Sequence, residues 1–420
     1  MSPLALALVW AGAGALSAPA LAGVRRRRRA LAAIPLALSL VTLLAASQGT
    51  WPGPTSSAGY GATLVLGRPG LGLLVVAGAA LCVAWVLAPA LEGAEVTAAC
   101  LVGSAAVVML SATVPVVWAM ATAVGVAALA VRWIAAAPSR GTLAAGRVAG
   151  MGAAALLAAA TFLPTTLGPV ADVRTTLVGA LLASGVGALL ALVPLGGWAA
   201  SAAGGVRGTD LALWTVLLGP AVLLSAGAAL PALSAPTQNA FATDLLVLSL
   251  LSGIYSSVQA VRAQPEARYG RVWIADLALA AAGLASLHDA GRLGGMLLIL
   301  THLTIGPVLL NAPRQGVERQ HRLAWLALTG IPGAAGFWGR LLVLEALAET
   351  SGEVLVMGLA TAAAITAAAV RALVASDPPP SGRPAALPVR VLAWLMCLAV
   401  LVLGFAPASI AEHVFGVSFT

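Results

Sequence analysis

Four ionisable side chains lie inside apolar runs, where charge is costly and usually tied to function: Asp276, His302, Arg340 and Glu345. Histidine changes charge near neutral pH, so a mid-membrane His302 reads either as a switchable proton group or as a neutral imidazole bonded to a neighbouring carbonyl. Asp276 reads as its counter-ion or relay, or as an interfacial cap. Arginine stays protonated under ordinary conditions, so Arg340 cannot carry protons itself; it can hold a carboxylate or bias His302. On this reading Arg340→Lys is tolerated and Arg340→Ala is harmful. Glu345, Glu349 and Glu353 lie toward one end of a span, with Glu345 the deepest and the candidate exit.

The element that must position Arg340 runs from Leu326 to Arg340. Gly330, Pro332, Gly333, Gly336 and Gly339 crowd this stretch, and Pro332 removes a backbone donor and clashes with the preceding turn. One regular helix is excluded. Backbone freed in this way inside lipid must face protein or a wet cavity. A second break occurs at Val193-Pro194-Leu195-Gly196-Gly197-Trp198. Paired Gly/Pro interruptions in two halves of a chain point to a transporter-type architecture, with Pro194, Gly330 and Pro332 marking the breaks. The plainer alternative for the Leu326–Arg340 stretch is a proline kink whose arginine reaches for the headgroups.

Composition sets the class. The 420 residues are 60% hydrophobic and 9% charged, which describes a polytopic membrane protein. All twenty-two basic residues are arginine, and they fall between apolar spans rather than on one surface, so a nucleic-acid binder is not indicated. Cys82, Cys100 and Cys397 are far apart in apolar segments and read as small buried hydrophobes. Gly-x-Gly clusters within the spans suit helix packing rather than phosphate binding. No nucleotide, flavin, haem, iron–sulfur or other metal motif is present, so no cofactor is expected.

With about 20 apolar residues per crossing, fourteen spans are expected: 3–22, 30–47, 68–90, 94–113, 114–134, 144–164, 174–200, 209–232, 241–262, 271–288, 292–312, 322–347, 353–376 and 388–412. The first could pass for a signal peptide, but it lacks a positive leading region and Arg25 to Arg29 follow it, so a retained helix is the better reading. Eighteen arginines fall at odd-to-even connections and three (Arg68, Arg174, Arg292) on the opposite side, while Arg340 is inside a span. That asymmetry puts the odd-to-even loops in the cytoplasm and both termini outside. Gln48 to Tyr60 and Ser376 to Pro388 read as loops rather than domain linkers.

The segment Leu-Thr-Gly-Ile-Pro-Gly-Ala-Ala-Gly-Phe-Trp-Gly-Arg, ending at Arg340, resembles the Leu-Thr-Gly-Ile-Pro-Pro-x-Ala-Gly-Phe-x-Gly-Lys segment of antiporter-like subunits. That family serves respiratory complex I, membrane-bound hydrogenases and multisubunit cation/proton antiporters. The resemblance implies fourteen helices and two inverted five-helix repeats, with helices 7 and 12 broken. It divides the chain into N-terminal helices at 1–93, repeats at 94–232 and 241–376, and a C-terminal helix at 388–420. In the family the final Lys or Glu of the segment belongs to the proton path.

Ile-Leu-Thr-His-Leu-Thr-Ile-Gly resembles the family's Leu-Leu-Thr-His-Ala-x-x-Lys, so His302 matches its His and Gly306 stands where its Lys would be. The first break resembles Val-Pro-Phe-His-x-Trp-Leu-Pro, with Gly196 replacing the His. The family's central Lys falls on Leu189, Gly219-Pro220 stands near its eighth-helix Lys, and its fifth-helix Glu has no counterpart. No acid occurs between Glu95 and Asp172, so the first half is expected to hold no proton carrier.

The resemblance implies a membrane subunit without a redox site of its own. Its expected partners are other membrane subunits, hydrophilic redox subunits acting through them, and the lipid bilayer. Its expected place is the plasma membrane. Three roles remain open: proton or cation translocation along a route entering near Asp276, passing His302 and leaving near Glu345; a purely structural subunit; or an autonomous secondary transporter.

Overall fold

A computed structural model describes residues 55–58, 62–64, 68–87, 93–112, 114–163, 172–194, 208–310, 317–375, 385 and 387–407. The spans read at 3–22 and 30–47, the run Arg25 to Arg29, Gly196, Trp198 and most of the connector after Ser376 lie outside the described residues.

Nearly everything described is helix. The loop read at Gln48 to Tyr60 runs into a two-stranded antiparallel hairpin, β1 (Thr55–Ala58) and β2 (Ala62–Leu64). The helices that follow are α1 (Arg68–Leu87), α2 (Gly93–Ser111), α3 (Pro115–Ala136), α4 (Arg140–Phe162) and α5 (Val173–Leu189). A composite span comes next: α6 (Gly208–Ala212), a π-helical segment Leu213–Leu218 and α7 (Gly219–Ala229). After it come α8 (Ala235–Arg262), α9 (Pro265–Ala285), α10 (Asp289–Leu309), α11 (Glu318–Leu328), α12 (Ala335–Thr350), α13 (Gly352–Val374) and α14 (Leu387–Phe405). Seven of the described helices are long and apolar enough to cross a membrane. Val131, Met151, Val356 and Phe405 are exposed on the described helices, where a water-soluble protein would place polar groups. The chain is a multi-pass membrane protein.

Local sequence explains where these helices begin. Ser139 and Asp172 each accept from the amide three residues on, and Thr142 and Thr175 reach back, closing a capping box at α4 and at α5. The Thr175 amide bond holds the Asp172 carboxyl below the usual carboxylate range. Pro115 and Pro265 open α3 and α9, where the missing donor costs nothing. Because Pro265 starts α9 earlier than the span read at 271–288, Asp276 sits at mid-helix rather than six residues in.

The described residues form two compact units, one drawn from 55–190 and 208–244 and the other from 191–194 and 245–407. In the first, α2, α3, α4 and α5 pack in succession, and α7 lies against α1 and α2. In the second, α10 is the hub, contacting α9, α11, α12 and α14.

Small residues let α10 and α12 approach closely, as lipid-embedded helices require. A Cβ on Gly294 would lie 2.6 Å from the Gly339 carbonyl oxygen and 2.8 Å from the Val343 amide nitrogen. One on Gly339 would lie 2.8 Å from Leu298 Cγ. Gly294→Ala is therefore expected to force the pair apart at a cost of about 1–3 kcal/mol, typical of overpacking. A thermal melt of the purified protein in detergent measures it, and an unshifted midpoint would contradict the close approach.

Candidate ion-pathway site

The site is built on α9, α10 and the break between α11 and α12. The helix stops at Leu328, turns through Gly330 (φ +71°) and Gly333 (φ +88°), and restarts at Ala335. Positive φ at both positions is what glycine permits without a Cβ clash. The freed carbonyls find protein donors. Arg340 Nη1 donates to Leu328 O at 2.8 Å, and Thr366 Oγ1 donates to Thr329 O at 2.8 Å. At the other break α5 ends at Leu189, whose carbonyl accepts from Trp214 Nε1 at 3.0 Å within the first unit. Within the second unit, the Val193 amide beside Pro194 donates to Ser252 Oγ at 2.6 Å.

Restarting at Ala335 aims Arg340 back toward α9. Its Nε donates to Asp276 Oδ1 at 3.0 Å and its Nη2 to Oδ2 at 2.8 Å, a bidentate fork. His302 Nε2 lies 2.9 Å from the same Oδ2, and its Nδ1 lies 3.3 Å from Tyr269 Oη. Trp273 meets the imidazole edge-on, with ring centres 4.6 Å apart. Asp276 is 1% exposed, His302 2% and Arg340 4%. Sequence reading thus named three of the core members, and the fold brings them into one hydrogen-bonded group.

Asp276 and Arg340 cancel each other's charge, which leaves the imidazole as the group of this network able to change charge. As a buried pair they stabilise only while both are present.

Glu345 does not join them. It is exposed, five residues beyond Arg340 and so turned well away around α12. At that end of α12 the acid that finds a partner is Glu349, whose Oε2 lies 2.8 Å from His288 Nδ1. The expected exit at Glu345 is therefore not supported by contact with the buried group.

Sequence reading also missed side chains. Tyr269, Trp273 and Asp276 stand at i, i+4 and i+7, one face of α9, a pattern already legible in the order of the residues. In the first unit Arg132 Nε donates to Asp210 Oδ1 at 2.6 Å, and its Nη2 lies 3.1 Å from Oδ2 and 3.2 Å from Glu95 Oε1. Trp133 Nε1 donates to the Asp210 carbonyl at 2.9 Å. Glu95 and Asp210 are fully buried and Arg132 nearly so. Glu95 opens α2, Asp210 lies in α6 and Arg132 near the end of α3, so an arginine counted among the loop and helix-end charges folds inward onto two acids that the search for a proton carrier in the first half passed over. Leu189 and Gly306 remain uncharged where the resemblance led one to look for Lys. Among the described residues no group of His, Cys, Asp and Glu has a metal-binding arrangement.

The sequence matches no protein-family model and no curated protein. The fold, however, is shared with solved structures. A chain of respiratory complex I from Thermus thermophilus with bound NADH matches with a TM-score of 0.83 at 19% identity, over 99% of this chain and 97% of that one. A chain of the membrane-bound sulfane sulfur reductase, an archaeal respiratory membrane complex, matches with a TM-score of 0.82 at 15% identity, over 98% and 95%. A chain of the Mrp complex from Dietzia sp. DQ12-45-1b matches with a TM-score of 0.81 at 16% identity, over 99% of this chain and 52% of that longer one. The chain therefore has the fold of membrane chains found in these respiratory and Mrp complexes.

Proposed function

We propose that this chain is an antiporter-like membrane subunit of an energy-converting complex and contributes to proton or cation translocation through its second unit. The observation that carries the reading is the buried Asp276–His302–Arg340 group set on a broken helix. A charge-neutral pair holding a titratable imidazole in the hydrocarbon fits an ion path and serves no packing need that apolar residues would not meet better. The shared fold with chains of complex I, the sulfane sulfur reductase and the Mrp complex supports it.

The finer reading has fourteen crossings, inverted repeats at 94–232 and 241–376, and both termini on the outer face of the plasma membrane. The partners are neighbouring membrane subunits, with hydrophilic redox subunits acting through them, and this chain contributes no redox site. A structural role is the second reading. It is favoured by Leu189 and Gly306, where two charges that the resemblance implies are lost.

The test is proton uptake by vesicles containing the purified complex. His302→Ala is expected to abolish the share of pumping that disappears when this subunit is deleted, with the complex still assembled. Pumping equal to the parent complex would leave the structural reading.

A further inference from the structure

Both ring nitrogens of His302 are engaged. Nε2 faces Asp276, whose two oxygens are already forked by Arg340, and Nδ1 faces the Tyr269 hydroxyl. Trp273 covers the ring from the side and the whole residue is 2% exposed. A proton reaching this imidazole must therefore come through one of those two neighbours. Tyr269 is itself 4% exposed, but it lies one turn from the start of α9, seven residues before Asp276 and so about 10 Å nearer that helix end. It also sits over Gly306, where an added Cβ would lie 2.6 Å from the hydroxyl oxygen but 3.7 Å from the ring carbon that bears it. The glycine leaves room for the oxygen at the spot where it can touch Nδ1.

We propose that Tyr269 is the entrance to the site and the group that hands protons to His302. The step is a hop through the phenol. A hydronium ion from the aqueous side at the start of α9 gives a proton to Tyr269 Oη and leaves as water. The original hydroxyl proton passes to His302 Nδ1, the imidazole becomes imidazolium, and the phenol is neutral before and after. Asp276 then faces a cation through Nε2. A hydroxyl suits this place because it can donate to the neutral ring and accept from the charged one. The assignment rests on the proposed ion-translocating role, and it moves the entry from Asp276 to Tyr269.

The experiment compares Tyr269→Phe, Gly306→Ala, the double variant and His302→Ala as assembled complexes in vesicles, with proton uptake recorded across pH. Tyr269→Phe is expected to slow uptake by roughly tenfold or more, the low end of what one proton-transfer group contributes. The residual rate should rise in proportion to proton concentration where the parent rate is flat, because proton supply has become limiting. Gly306→Ala, which keeps the hydroxyl but displaces it, should produce the same defect. The double variant should be no worse than Tyr269→Phe, since the phenylalanine ring clears the new methyl. Should Tyr269→Phe fail to assemble, Gly306→Ala carries the test alone. Parent rates in Tyr269→Phe or Gly306→Ala, with His302→Ala inactive, would overturn the entrance and leave the ion path. A slow variant with the parent's pH profile would reduce Tyr269 to packing, which also overturns the entrance. Parent rates in His302→Ala would instead overturn the site itself.

Discussion

Arg340→Ala is expected to destabilise the protein by about 3–5 kcal/mol, the usual cost of removing one member of a buried ion pair. Asp276, 1% exposed, would lose both arms of the fork, and the Leu328 carbonyl at the end of α11 would lose its donor. Arg340→Lys should be damaging too. One ammonium cannot match a planar fork that serves two carboxylate oxygens and a carbonyl at once, so the tolerance expected from sequence is revised. Adding Asp276→Ala to Arg340→Ala should recover part of the loss, because the stranded charge goes with it. Thermal melting of the detergent-purified complex decides the matter. An Arg340→Ala protein that melts with the parent would show that the pair does not hold the break together.

Arg132→Ala should be comparably severe, at about 3–5 kcal/mol, and for a related reason. It strips one cation from two fully buried carboxylates, Glu95 and Asp210, which come from α2 and α6. The loss should fall on the first unit. Protease cutting should therefore begin in the segments around α2, α3 and α6, with those of α9 to α12 resisting longer. Replacing Glu95 by Gln in the Arg132→Ala background should restore part of the stability. If that second change lowers stability further, the carboxylates are held by something other than Arg132.

Much of the site can be read from residue types alone, because charge inside an apolar run is rare enough to be noticed one residue at a time. Asp276, His302 and Arg340 stand out that way, and the Gly330–Pro332 stretch locates the turn that aims Arg340. Partners are harder. Tyr269 and Trp273 are unremarkable in composition, and their importance comes from sharing a helix face with Asp276. Arg132 is lost for the opposite reason. Arginines near span ends are counted as loop charges, and that rule has no means of telling a headgroup contact from a side chain folded inward onto Glu95 and Asp210. Glu345 misleads because depth along a span says nothing of the angle around the helix. The π-helical segment at Leu213–Leu218 is buried throughout, and the sequence feature beside it is Pro220, which lacks the backbone donor that a regular helix would use there.

The neutrality of the Asp276–Arg340 pair also has an electrical consequence. When His302 takes up a proton, the net charge inside the hydrocarbon rises by one full unit, with nothing left over in the pair to offset it. Membrane voltage acts on that charge, with at most about 2.3 kcal/mol per 100 mV if it traverses the whole field and proportionately less at intermediate depth. His302 lies well inside α10 and Asp276 at the middle of α9. On the proposed function, loading the imidazole would thus sense voltage as well as pH, and an energised membrane would set how often the site is charged.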